Sequence, residues 1–182
     1  MRSLSTEDYS SLMWSSPEKA LEYIYDNYYE MMCNLVYRII KDSAVSEDIV
    51  QDVFLEIWRK RDEIFINSSI EAYLRRSCRN KTLNYIRCNN VHWEDVSELV
   101  EQIDTGFTAE QYLAADELQY KINKVISNLP EKCRLVFVLS RFEEMSYSDI
   151  SKELDISVKT VENHISKALK VLRENIYNKE EI

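Results

Sequence analysis

The sequence predicts an all-α chain: two small helical domains joined by an acidic linker, the second of them a helix-turn-helix. Three observations predict it. The chain has one glycine, Gly106, and two prolines, Pro17 and Pro130. Tight hairpins need residues that accept positive φ, chiefly glycine or asparagine, so a multi-stranded sheet is hard to build. Apolar residues recur at helical spacing on both sides of the middle of the chain. Between Asn89 and Tyr120 there is no lysine or arginine but there are eight acids, with Gly106 among them, which reads as a polar tether. The expected division is an N-terminal extension (1–18), a first domain (19–90), the acidic linker (91–118), a second domain (119–176) and a tail (177–182).

The composition also excludes functions. At 182 residues, 45% hydrophobic and 30% charged, the chain can build a core. One glycine leaves no phosphate-binding loop and no G-x-G-x-x-G. Cys33, Cys78, Cys88 and Cys133 form no C-x-x-C, and His92 and His164 stand in no ligand-like spacing with them. We therefore expect reduced thiols in a cytoplasmic protein, with no metal and no cofactor. The first thirty residues carry six acids and no apolar block, so no secretion signal is expected. The longest clean apolar run, Leu135 to Leu139, is far too short for membrane insertion. No nucleophile–base–acid constellation is visible, so neither an enzyme nor a small-molecule substrate is expected. The net charge of −9 argues against unaided nucleic-acid binding, but the basic residues are segregated.

In the first domain, Ser46 is a candidate N-cap with Glu47 and Asp48 in the first turn. Ile49, Val50, Val53, Phe54, Ile57 and Trp58 then make one apolar stripe. The opposite face shows Asp48, Gln51, Asp52, Leu55, Glu56 and Arg59. A merely solvated face would show most of these residues. Leu55 among them is the one that suggests a docking surface.

The next helix is basic. Residues 72–87 hold Arg75, Arg76, Arg79, Lys81 and Arg87 and no acid, interleaved with Tyr73, Asn80, Asn84 and Tyr85. Guanidinium groups neutralise phosphates, and asparagines and aromatics bond or stack on bases. Tyr73, Leu74, Leu83 and Ile86 are the candidates for its core side.

The C-terminal stretch is the sharpest. Ser146 caps a short helix that ends at Leu154, Asp155-Ile156-Ser157 makes a turn, and Ser157 caps a second helix from Val158 to about Glu174. Val158, Val161, Ile165, Ala168, Leu169 and Leu172 form its expected apolar face. Lys159, Thr160, Asn163, His164, Lys167 and Lys170 form the expected outer face. A lone histidine is more often structural than a base contact, so His164 enters by its spacing alone. Polar and basic residues on the second helix of such a pair suit major-groove reading.

These motifs, in this order, resemble bacterial sigma factors. Residues 46–61 (S-E-D-I-V-Q-D-V-F-L-E-I-W-R-K-R) resemble their polymerase-docking helix, and 72–87 their promoter-melting helix. Residues 129–139 and 146–172 resemble their C-terminal domain. The size and the acidic tether are similar to the extracytoplasmic-function (ECF) group. The resemblance implies core RNA polymerase and promoter DNA as partners. It implies docking through Asp48, Gln51, Asp52 and Leu55. It assigns the −10 element to Arg75, Arg76, Arg79, Asn80, Lys81, Asn84 and Arg87, and the −35 element to Lys159, Thr160, Asn163, His164 and Lys167. An anti-sigma partner is common in that family, although no residue here specifies one.

Two other readings compete. The V-K-T-V-E-N-H-I-S stretch also resembles the helix-turn-helix of regulators that bind duplex DNA without polymerase, but nothing in the first 90 residues resembles an α/β receiver. A helical module that sequesters another protein explains the acidity, but not the concentration of cations on two helices.

Overall fold

The structure, a computed structural model, describes residues 6–63, 66, 68–89 and 114–177. These contain α1 (Thr6–Ser15), α2 (Pro17–Ile40), α3 (Ser43–Arg59), α4 (Ile70–Cys88), α5 (Ala114–Ser127), α6 (Glu131–Arg141), α7 (Tyr147–Leu154) and α8 (Val158–Tyr177), with no strand among the described residues. The chain divides into two compact units, Met1–Val91 and His92–Ile182. Of the acidic stretch 91–118, residues 91–113 lie outside the described ones, and α5 opens within its last residues. Residues 178–182 of the tail likewise lie outside them. No described helix is long and apolar enough to cross a membrane.

The first unit is built on α2, against which α1, α3 and α4 pack. Lys41 and Asp42 make the whole connection between α2 and α3. Lys41 takes up a left-handed conformation (φ 67°), its N–H bonded back to the Tyr37 carbonyl, as in helix ends that reverse the chain. Asp42 caps α3, accepting from the Val45 N–H at 3.1 Å. Here the expectation for Ser46 is corrected. The helix starts a turn earlier than Ser46, and Ser46 is a buried residue inside it whose hydroxyl bonds the Asp42 carbonyl. The apolar stripe runs Ile49, Val50, Val53, Phe54 and Ile57 into the core, with Trp58 half-buried at its end.

Helix α1 falls in the stretch set apart as an extension, yet Tyr9 is fully buried among the core residues of this unit. Its hydroxyl has no hydrogen-bond partner among the described residues, and burial together with nearby Tyr73 pushes its pKa up.

In the second unit, α6 and α7 pack against each other and against α8, and α5 also packs against α8. Cys133 through Leu139 of α6 are buried in an unbroken run, so this helix is surrounded rather than half-exposed. The run includes Arg134. Its guanidinium donates to the Leu129 carbonyl (3.1 Å) and the Ser127 carbonyl (3.4 Å) at the end of α5, where the helix dipole favours a cation.

Candidate docking face and nucleic-acid interface

On α3, Asp48, Gln51, Asp52 and Leu55 stand at i, i+3, i+4 and i+7, and all are exposed. Leu55 is 48% exposed, in contrast to the apolar residues on the other side of the helix. Gln51 Nε2 donates to the Tyr29 hydroxyl of α2 (3.4 Å). Tyr29 stacks on Tyr25 at 4.5 Å, and both rings meet Phe54 edge-on. The face thus continues onto α2 as an aromatic ledge, with Tyr25 47% exposed. Sequence reasoning missed this ledge. The i, i+4 spacing of Tyr25 and Tyr29 was its available signal.

Helix α4 opens at Ser69, whose hydroxyl accepts from the Ala72 N–H (3.1 Å). Leu74, Cys78, Thr82, Leu83 and Ile86 are its buried residues past the first turn. The seven candidate residues then divide. Arg76, Asn80, Asn84 and Arg87 are all exposed, at i, i+4, i+8 and i+11, a continuous outward stripe. Arg87 Nη1 donates to Asn84 Oδ1 at 3.0 Å, fixing the lower end of the stripe. Arg75, Arg79 and Lys81 are half-buried on its flanks. Arg75 pairs with Glu71 (2.9 Å) and reaches the Met31 sulfur. Lys81 turns to α3, where its ammonium lies 3.6 Å from Asp52 and 3.4 Å from Glu56. Lys60 foremost, then Lys81, holds the Glu56 carboxyl below the usual range. Lys81 is therefore a strut between α3 and α4, and Asp52 serves both that strut and the exposed face.

The helix-turn-helix is built by its caps. Ser146 Oγ accepts from the Asp149 N–H (3.1 Å) at the start of α7. Asp155 ends α7 in the left-handed region (φ 53°), a conformation aspartate tolerates better than most residues. Ser157 Oγ accepts from the Thr160 N–H (3.0 Å) to start α8. Lys159, Asn163, Ser166, Lys170 and Arg173 are exposed along one side of α8. Lys159 pairs with Glu162 (3.1 Å). Thr160 and Lys167 are half-buried at the edge, and the Thr160 hydroxyl is engaged with Ser157 (2.9 Å). Ser166 and Arg173 were missed by the sequence reading, although the spacing from Lys159 and Asn163 points to them.

His164 is a correction. It is not on the outer face: it is 3% exposed, with Nδ1 3.3 Å from the sulfur of buried Cys133 on α6. Burial first, then the charges of Lys132 and Lys167, holds the imidazole below its ordinary pKa, and burial raises that of the Cys133 thiol. Both groups are neutral near pH 7. Two expected core residues move the other way: Val158 is 42% exposed and Leu169 41%. His164 and Val171 take their places.

Comparison with known proteins places both units. Residues 24–91 match the family model for sigma-70 region 2, and 120–172 match that for sigma-70 region 4. The first match contains α3 and α4, the second α6, α7 and most of α8. The chain is 28% identical over 162 residues to ECF RNA polymerase sigma factor SigW of Bacillus subtilis, covering 84% of this chain and 87% of that one. It is 28% identical over 171 residues to the ECF RNA polymerase sigma-E factor of Haemophilus influenzae, covering 89% and 88%. A solved structure of CnrH in complex with the cytosolic domain of CnrY is 19% identical, with a TM-score of 0.49 and coverage of 94% and 97%. Two sigma-70 regions in order, on two helical units bearing these exposed stripes, and relatives matched along most of their length make the chain a member of the ECF group of the sigma-70 family, a sigma factor that directs promoter-specific transcription initiation.

Proposed function

We propose that this sigma factor divides its work among three helices. The α3 face of Asp48, Gln51, Asp52 and Leu55, with the Tyr25–Tyr29 ledge beside it, docks on core RNA polymerase. The stripe Arg76, Asn80, Asn84 and Arg87 of α4 holds the opened −10 strand, with Arg75, Arg79 and Lys81 shaping its flanks. Lys159, Asn163 and Lys167 of α8 read the −35 duplex, with Thr160 securing the start of the helix. The chain performs no reaction of its own; catalysis belongs to the polymerase, and the protein acts beside it in the cytoplasm.

The observation that carries this reading is the exposed stripe of cations and amides on α4 in a chain of net charge −9. Such a chain binds DNA weakly alone, because long-range repulsion works against its small basic surfaces. Held on polymerase, both DNA surfaces act at high effective concentration, and the tether sets their reach. Side chains that capture unstacked bases offset part of the cost of opening the duplex.

The docking assignment is tested by Leu55→Asp. The site is exposed, so the substitution should leave the stability within about 0.5 kcal/mol of wild type. Capture by core polymerase in a pull-down should fall about tenfold or more, as for a central apolar contact. Unchanged capture places docking elsewhere.

A further inference from the structure

Helix α8 has two ways to bury itself. Val161, Ile165, Ala168 and Leu172 belong to both. In one, Val158 and Leu169 complete the stripe; in the other, His164 and Val171 do. The first is the more apolar, and hydrophobic patterning alone selects it. The structure adopts the second, with His164 3% exposed while Val158 and Leu169 are 42% and 41% exposed. The two settings differ by a rotation of roughly 45° about the helix axis at 3.6 residues per turn. At the surface of a helix about 10 Å across, that swings side chains by about 4 Å, more than a hydrogen bond to a base edge tolerates. It would carry Lys167 toward the middle of the outer face and Ser166 toward its edge.

Apolar contacts are non-directional, and by area alone they favour the first setting, so something directional must hold the second. The contact between Cys133 Sγ and His164 Nδ1 is directional, buried at both ends, and joins α6 to α8. Fixing a register is the best-attested use of a buried polar group. We propose that His164, acting through Cys133, is a positioning residue that sets the rotation of α8 and so decides which side chains meet the −35 bases. This rests on α8 being the −35 reader.

The test is initiation by core polymerase with the full-length protein on promoters carrying a randomised −35 element and a constant −10 element. Cys133→Ala and His164→Leu should each reduce the preference for the best −35 sequence by about tenfold, the size of one base-pair discrimination. The double variant should lose no more than either single variant, since both remove the same interaction. His164→Asn, whose amide occupies the Nδ1 position, should recover at least half of the preference. Melting temperatures of all four separate packing from positioning. If Cys133→Ala and His164→Leu keep wild-type preference and only the melting temperature moves, the pair is core packing and the proposal is overturned. Should His164→Leu fail to fold, Cys133→Ala decides alone. Asn163→Ala is the control on the underlying reading. If it leaves the −35 preference unchanged, α8 is not the reader and the inference goes with it. If it alters the preference while the Cys133 and His164 variants do not, only the inference is overturned.

Discussion

Helices α4 and α8 present similar outward stripes of amides and cations but are seated by different forces. The inner face of α4 is apolar apart from Thr82, whose hydroxyl bonds the Cys78 carbonyl of its own helix (2.8 Å). That bond says nothing about where α4 sits. Its orientation is trimmed at the flanks, by Lys81 against Asp52 and Glu56. Those pairs are partly solvated, and salt weakens them. The inner face of α8 instead carries His164, bonded across to another helix inside the core. That bond is shielded from salt but exposed to protonation. The same kind of exposed stripe is thus held by flank ion pairs in one unit and by a buried neutral pair in the other.

The largest expected effect sharpens the division within α4. Replacing Arg76 and Arg87 with alanine removes two exposed cations from the stripe. A charge-assisted hydrogen bond is worth about 1.5–3 kcal/mol, so removing two should lower promoter opening, followed by permanganate reactivity, about a hundredfold with polymerase capture intact. The flank pair Arg75 and Arg79, changed the same way, should cost much less opening. Equal losses from the two pairs would dissolve the distinction between stripe and flank.

A smaller effect separates the two units by pH. The folded-state pKa of His164 is depressed below its ordinary value, so its contribution to stability is present above about pH 6.5 and is lost as pH falls below it. One proton sets a limit of about 1.4 kcal/mol per pH unit. The first unit contains no histidine, since the two in the chain are His92 and His164. Amide exchange in α8 should therefore accelerate relative to α3 between about pH 7 and about pH 5.5, a window that brackets the ordinary histidine range, and His164→Asn should abolish the difference. Parallel behaviour of α3 and α8 in the wild type would contradict the buried neutral pair.

Much of the architecture was legible because it is local. Ser146 and Ser157 bond amides three residues ahead of them, and the α7–turn–α8 boundaries follow from those bonds. The start of α3 was misread because Asp42 and Ser46 both suit a cap, and only burial of Ser46 by the packed helices separates them. The roles of Lys81 and His164 were not legible, because their partners lie on other helices. Tyr9 was invisible for the same reason: nothing near it in sequence shows that α1 folds onto α2. The exposed face of α3 was legible in Leu55, an apolar residue in polar company, whereas the aromatic ledge beside it depends on how α2 meets α3.

Under the proposed division of work, two weak DNA surfaces become a promoter reader only when polymerase holds them. Binding of the full-length protein to a fluorescent promoter fragment, titrated with salt in the presence and absence of core polymerase, tests it most directly. The free protein should show negligible affinity near physiological salt, with tight, promoter-selective binding followed by run-off transcript once polymerase is added. Equally tight, sequence-selective binding without polymerase would contradict it and identify a regulator that reads duplex DNA alone.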